Sequence, residues 1–235
     1  MRGRTVRFDP HVHTAASYDA TAPVEAVLDR AVEVGLDAVA ITDHDTLSGA
    51  RTALESGRDG LTVIPGVEVS TGDGHLLALG VAERPAPGRP LAATVETVRE
   101  LGGAAVIPHP LQRSRHGVGR RALRDCDPDG IETYNAMAVT GIRNRRARRF
   151  ARGAGYPKLG GSDAHAVATV GHAYTEVDLP ATEPVTPDLI VSAVRAGETR
   201  VVGRRTPLRH CLSKFAHNVR LRTPAWPTRD DGAVR

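Results

Sequence analysis

The chain has only two cysteines, Cys126 and Cys211, far apart and in no paired spacing, which argues against a disulfide framework or a thiolate zinc site. Aromatic residues make up 3% of the 235 residues, with one tryptophan, Trp226. No aromatic platform for stacking single-stranded bases is apparent. Lysine occurs only at Lys158 and Lys214. No window holds the long uncharged apolar run of a membrane span, so no transmembrane segment is expected. The N-terminus, Met-Arg-Gly-Arg-Thr-Val-Arg-Phe, carries no apolar signal-peptide core. These absences predict a cytoplasmic protein with reduced thiols.

The length suits one sizeable α/β domain, or at most two small ones. The formal net charge of +4 is modest but unevenly spread, with arginines crowding residues 143–152 and 195–222. That distribution suits an anionic substrate, nucleic acid or an acidic lipid surface, and equally a solvated helix face.

Along the chain, short β-rich apolar runs alternate with helical patterns, the sign of βα units around a parallel sheet. Strands are expected at residues 5–8, 38–42, 61–69, 75–81, 104–107, 130–134, 158–160 and 173–177. The third and fourth are separated by the turn-forming Thr71-Gly72-Asp73-Gly74. Helices are expected at 23–34, 47–56, 91–101, 141–154 and 189–196, the first with Val24, Val27, Leu28 and Ala31 as its apolar stripe. The count gives about seven βα units, close to the eight of a full barrel. Residues 1–203 form the expected domain; 204–235 are a basic C-terminal extension, with disorder expected after Thr223. In such barrels the chemistry sits just beyond the C-terminal ends of the strands.

The chemistry-bearing residues fall there. Asp9-Pro10-His11-Val12-His13 and Ser17-Tyr18-Asp19 follow the first strand, and Thr42-Asp43-His44-Asp45 the second. Gly66-Val67-Glu68 lies on the third, His75 opens the fourth, His109 ends the fifth, and Gly161-Ser162-Asp163-Ala164-His165 follows the late strand. Two histidines one residue apart on an extended segment point the same way. Imidazoles suit zinc, iron and manganese, while carboxylates add hard oxygens that bridge ions. Taken singly, each piece has a bland reading as a turn, a cap or a satisfied histidine. Together they exceed the four ligands of a structural zinc site and point to a polynuclear catalytic centre. His116, His172, His210 and His217 have no carboxylate at comparable spacing and are read as structural or surface residues.

In their order and character these motifs resemble the PHP (polymerase and histidinol phosphatase) family of metal-dependent phosphoesterases. The likeness runs from Asp9 to His165 and continues to about Gly197. It implies a single-domain, distorted (β/α)7 TIM-like barrel over 1–203 and two or three divalent ions (Mn, Fe or Zn). By the same resemblance His11, His13, Glu68 and Asp163 hold the first ion. Glu68 bridges to a second, shared with His75 and His109; Asp19, His44 and His165 hold the third. The chain departs from the commoner Ser-Asp-Gly form, because Tyr18 displaces the aspartate to Asp19. It also lacks the long insertion that nucleotide-cleaving relatives carry after the His-Pro motif.

The implied reaction is hydrolysis of a small phosphorylated metabolite or nucleotide by metal-activated water. Arg113 and Arg115 are candidates for the phosphate contact. Asp45 is a candidate proton relay, or a partner that orients a ligating histidine. Two other readings stay open. One is hydrolysis of an amide-type bond, for which Lys158 would be the source of a carbamate bridge. The other is a nucleic-acid-binding module with structural metals, suggested by the arginine helix.

Overall fold

The computed structural model describes residues 3–112, 115–181 and 183–207. Among the described residues nine strands form one sheet: β1 (Gly3–Val12), β2 (Ala38–Ile41), β3 (Thr62–Thr71), β4 (Gly74–Leu79), β5 (Ala104–Ile107), β6 (Gly130–Asn135), β7 (Lys158–Gly161), β8 (Ala173–Pro180) and β9 (Thr199–Gly203). Their order is β7-β6-β5-β4-β3-β2-β1-β8-β9. Among the described residues six α-helices accompany them: α1 (Val24–Glu33), α2 (Ser48–Ser56), α3 (Leu91–Glu100), α4 (Arg120–Asp125), α5 (Gly141–Ala154) and α6 (Pro187–Ala196).

The sheet curls almost shut. Gly160 of β7 donates to the Thr175 hydroxyl of β8, which donates back to the Gly160 carbonyl, both at 3.0 Å. Beyond β7, His13 N–H donates to the Ala164 carbonyl at 2.9 Å. The distorted barrel expected from the sequence is therefore present. Its distortion lies in the strand directions: β1–β2–β3 and β5–β6–β7 run parallel, but β4 is antiparallel to both neighbours. The tight turn at Gly72-Asp73 leaves no room for a helix, so β3 and β4 make a hairpin.

Alternation along the strands sorts two cores. Val6 and Phe8 of β1, Ala40 of β2, Ile64 of β3, Leu77 and Leu79 of β4 and Val106 of β5 fill the barrel. Ile190, Val191 and Val194 of α6 join that cluster. Because α6 touches β3, β5 and β8, it stoppers the end opposite the strand exits. Outside, the buried stripe of α1 (Val24, Val27, Leu28, Ala31) packs with Val39, Ile41 and Val63. Burying side chains of this size contributes about 1.5–3 kcal/mol each.

Two elements were not expected. α4 is six residues long and buries only Leu123, too short for a periodic stripe. β9 is an edge strand with no fully buried residue, so its Thr-Arg-Val-Val-Gly shows no alternation. After β9 the chain stays on the body: Arg204 N–H donates to the His172 carbonyl and Thr206 N–H to that of Ala136. The rest of the basic extension, with His210, His217, Lys214 and Trp226, lies outside the described residues.

Candidate metal centre

A bulge in β1 aims the first histidines. Phe8 points into the barrel core, whereas Val12 packs in the outer one. The register of β1 against β2 shifts between Asp9 and Val12. This extra residue reverses the face, so His11 and His13 turn inward where unbroken alternation would have sent Pro10 and Val12. Asp9, fully buried, fixes the bulge by accepting from the N–H groups of Ser162 (3.0 Å), Gly171 (3.0 Å) and His11 (3.3 Å). Burial raises its pKa to about 6 against the pull of those donors. Asp43 ties the β1 and β2 exits together by accepting from the Thr14 amide (2.6 Å) and hydroxyl (2.7 Å).

The nine side chains named from the sequence converge on one buried cluster. The Nε2 atoms of His11 and His13 are 3.1 Å apart, and each lies 3.1 Å from Glu68 Oε2. Asp163 Oδ1 stands 3.8 and 3.7 Å from the same two nitrogens. The other oxygen of Glu68, Oε1, is 2.8 Å from His75 Nδ1 and 2.9 Å from His109 Nε2. Asp19 Oδ2 is 3.0 Å from His165 Nε2 and 3.5 Å from His44 Nε2. His44 also presents Nδ1 at 3.5 Å from Glu68 Oε2, so it stands between the two carboxylates.

Several rings have a partner on the far nitrogen. His11 Nδ1 faces Glu132 Oε1 at 3.0 Å, His13 Nδ1 faces the Ser17 hydroxyl at 3.4 Å, and His165 Nδ1 donates to the Asp163 carbonyl at 2.8 Å. In the neutral form with Nδ1 protonated, Nε2 of His11 and His165 would present a lone pair to a carboxylate oxygen. Lone pairs facing one another at about 3 Å repel unless a cation lies between them. Adjacent ligands at about 2.05 Å around a tetrahedral ion would stand about 3.3 Å apart. The 3.1–3.8 Å spacings among His11, His13, Glu68 and Asp163 fit that edge.

The electrostatics agree. Burial opposes charge on Glu68, but His44, His75 and His11 outweigh it and hold the carboxylate well below its usual pKa. Burial likewise opposes charge on His11; Asp163, Glu68 and Glu132 override it and raise the ring's pKa. His13 is pushed down by burial, then by His165 and His44. Burial takes His109 down to about 3.

Among the remaining candidates, Arg115 donates to Asn135 Oδ1 at 3.1 Å and pairs with Asp163 Oδ2, so it reaches the cluster. Arg113 lies outside the described residues. Asp45 Oδ1 accepts from Ser70 N–H at 2.8 Å, which braces β3 beside Glu68. Lys158 opens β7, whereas the cluster follows the strand's last residue, Gly161.

The sequence reading overlooked Glu132 and His116. Glu132 also accepts from His109 N–H (2.7 Å) and Asn135 Nδ2 (2.8 Å). Its signal was a carboxylate at an inward position of an apolar strand. His116, read as structural or surface, stacks on His75 with ring centres 5.2 Å apart, and its carbonyl accepts from His75 N–H. Tyr18, 63% exposed, stacks on His44 at 4.9 Å. By contrast His172 is buried away from the cluster, with Nδ1 3.1 Å from the Thr206 hydroxyl.

A barrel with buried imidazoles and carboxylates gathered at its strand exits defines the class of metal-dependent hydrolases. Sequence comparison matches residues 9–103 to the PHP domain and residues 141–199 to the PHP-associated family. An uncharacterized protein of Methanocaldococcus jannaschii, MJ1587, is 31% identical over 153 residues, covering 60% of this chain and 89% of that one. The chain belongs to the PHP family, and with it to the metal-dependent phosphoric ester hydrolases.

Two named relatives match over shorter stretches. The phosphoribosyl 1,2-cyclic phosphate 1,2-diphosphodiesterase of Eggerthella lenta is 42% identical over 82 residues, 32% of this chain and 31% of that enzyme. The 3′,5′-nucleoside bisphosphate phosphatase of Chromobacterium violaceum is 38% identical over 98 residues, 39% and 33% of the two chains. The chain thus spans about a third of either enzyme. Among solved structures, PsfC from Pseudomonas syringae superposes with a TM-score of 0.72 at 21% identity, covering 93% of this chain and 99% of that one. A two-domain Bacteroides vulgatus protein with a predicted PHP-like metal-dependent phosphoesterase gives 0.68 at 19% identity, over 90% and 70%. No helix among the described residues is long and apolar enough to cross a membrane.

Proposed function

We propose that the chain hydrolyses a phosphate ester of a nucleotide or similar small phosphorylated metabolite at a centre of two or three divalent ions. The nine ligands of this reading are His11, His13, Asp19, His44, Glu68, His75, His109, Asp163 and His165. The observation that carries it is the meeting of the His11 and His13 Nε2 atoms over one Glu68 oxygen. When bound, such ions lower the pKa of a coordinated water from 15.7 towards about 7 and neutralise phosphoryl charge.

The chain's own groups prepare the rest. Glu68 turns one oxygen to His11 and His13 and the other to His75 and His109, the arrangement of a bridging carboxylate. Glu132 and Ser17 hold the far nitrogens of His11 and His13, which fixes ring orientation. Arg115, at the mouth, offers its remaining N–H groups to phosphoryl oxygens as charge builds there. Asp45, braced on Ser70, is the candidate to take the proton from the attacking water. The two named relatives act on phosphate esters of a ribosyl phosphate and a nucleotide, which supports this substrate class.

The test is phosphate release with Mn²⁺ across sugar phosphates, mononucleotides, bisphosphorylated nucleotides and short oligonucleotides. A His11→Ala, His13→Ala double variant runs alongside to exclude a contaminating phosphatase. Turnover by the wild type alone is the expected result. Silence across the panel with metal bound would sink the phosphoesterase reading and leave the barrel standing.

A further inference from the structure

Asn135 closes β6 and is 1% exposed. It follows Glu132 by three positions, and unbroken alternation would send the two to opposite faces. The register of β6 against β7 shifts between Glu132 and Tyr134. The extra residue turns both side chains inward. The backbone of Asn135 is tied down separately, by α5. Its N–H donates to Asn144 Oδ1 at 3.2 Å, and its carbonyl accepts from Asn144 Nδ2 at 3.0 Å. The side-chain amide therefore answers to the cluster and not to the strand.

Three charged groups meet on that amide. Nδ2 donates to Glu132 Oε2 at 2.8 Å and to Asp163 Oδ2 at 2.9 Å, while Oδ1 accepts from Arg115 Nη1 at 3.1 Å. An asparagine side chain offers two N–H donors and one carbonyl oxygen, and all three are engaged. The opposite orientation would set an oxygen against two carboxylates and an NH2 group against a guanidinium, so the partners fix which way it points. Aspartate has the same shape but would add a third carboxylate. Leucine would leave two buried oxygens short of a donor.

Each partner turns its other side to the centre. Asp163 gives Oδ2 to Asn135 and Arg115. Its Oδ1 stands 3.3 Å from the nearer ring nitrogen of His165 and 3.8 and 3.7 Å from those of His11 and His13. Its φ of 52° is a left-handed conformation that persists where the surroundings over-determine it. Arg115 gives one terminal nitrogen to Asn135 and the other to Asp163. A guanidinium held on two sides has already lost rotamer freedom that capture of a phosphoryl group would otherwise remove.

We propose that Asn135 is a positioning residue that couples the two halves of the centre. One N–H keeps Asp163 a one-oxygen metal ligand, and the carbonyl of the same amide pre-sets Arg115 for the phosphoryl group. Asn135 itself touches neither ion nor substrate. The inference rests on the phosphoesterase reading for the partner of Arg115, and its test needs no turnover.

The test is calorimetry on the full chain, with Mn²⁺ titrated into metal-depleted protein and inorganic phosphate into protein saturated with Mn²⁺. Wild type is compared with Asn135→Ala, Arg115→Met and the double variant. Asn135→Ser runs beside Asn135→Ala as a second, polar replacement should alanine prevent folding, which circular dichroism reports. Mn²⁺ affinity is expected to fall about 10–100-fold in the Asn135 variants and to change far less in Arg115→Met. Phosphate affinity should fall about tenfold in each single variant. The double variant should bind phosphate no more weakly than the weaker single one, because both changes remove the same interaction.

A loss of about a hundredfold in the double variant, the product of two independent effects, would overturn the coupling. So would wild-type phosphate affinity in Asn135→Ala, Asn135→Ser or Arg115→Met. Weakened phosphate binding with Mn²⁺ affinity unchanged in the Asn135 variants would overturn it as well, by detaching Asp163 from Asn135. Coupled binding without hydrolysis of any ester would uphold the role of Asn135 and refute the catalytic reading. Hydrolysis with additive losses would do the reverse.

Discussion

Glu132 Oε1 lies 3.0 Å from Nδ1 of His11, and this contact decides which nitrogen of the ring looks into the cluster. A carboxylate accepts and cannot donate. A neutral ring would therefore carry its proton on Nδ1 and leave Nε2, 3.1 Å from Glu68, as the nitrogen free to bind a metal ion. The other oxygen of Glu132 holds His109 N–H and Asn135 Nδ2, so one buried side chain orients two candidate ligands.

Replacing Glu132 by Gln keeps the shape but lets the amide present either end to His11. The expected outcome is a drop in Mn²⁺ affinity of about 10–100-fold with the fold intact. Calorimetric titration measures the affinity, and circular dichroism the fold. Wild-type affinity in the variant would remove Glu132 from the site.

Gly161 leaves no room for a larger residue. A Cβ there would stand 2.5 Å from Glu132 Oε1 and 2.9 Å from His11 Cβ. Gly161→Ala is expected to push the carboxylate off His11. Overpacking costs about 1–3 kcal/mol, so the protein should melt lower and bind Mn²⁺ more weakly than wild type. If melting temperature and affinity both stay put, the close approach is not what the geometry says.

Much of this was readable beforehand, for identifiable reasons. Alternation places Leu77 and Leu79 inside and therefore His75 too, and strand exits are where a barrel keeps its chemistry. What alternation could not show is the bulge between Asp9 and Val12. Counting from Phe8 in steps of two leads to Pro10 and Val12 and would turn His11 and His13 outward. Glu132 escaped notice because no histidine adjoins it in sequence; its partners His11 and His109 come from other strands. The stacking of His116 on His75 depends on a loop path, with φ of 53° at His116, that no periodicity encodes.

The seam where β1, β8 and β9 meet predicts a pH dependence. Asp178 accepts from Arg200 at 2.5 and 3.0 Å and from the Thr5 hydroxyl at 2.7 Å. The Arg200 hydrogen bond, followed by that from Thr5, lowers its pKa from 3.8 to about 2. A carboxylate depressed on folding adds stability that is full above its unfolded pKa and fades as pH falls through the folded one. The pair is half exposed, so screening limits the effect to about 0.5 kcal/mol. Asp178→Asn should therefore be less stable than wild type above about pH 4, with the gap closing towards about pH 2. Urea denaturation across that range measures it, and a gap that widened on acidification would contradict the assignment.

The number of ions separates along the same geometry. Asp19 touches the cluster through His165 and His44, away from the two Glu68 oxygens. Glu68 serves His11, His13, His75 and His109. If Asp19 belongs to a third site, Asp19→Ala should lose one ion per chain and keep the others. Glu68→Ala should lose the two it bridges. Metal analysis after equilibration with Mn²⁺ gives the stoichiometry, and melting gives a second readout. Ligand at about 100 times its Kd adds about 2.7 kcal/mol of stability, or roughly 5–10 °C in a chain of this size. The share of two ions should survive in Asp19→Ala and the share of only one in Glu68→Ala. Equal loss in both variants would mean that Asp19 and Glu68 hold the same ions, and the three-ion partition would give way to two.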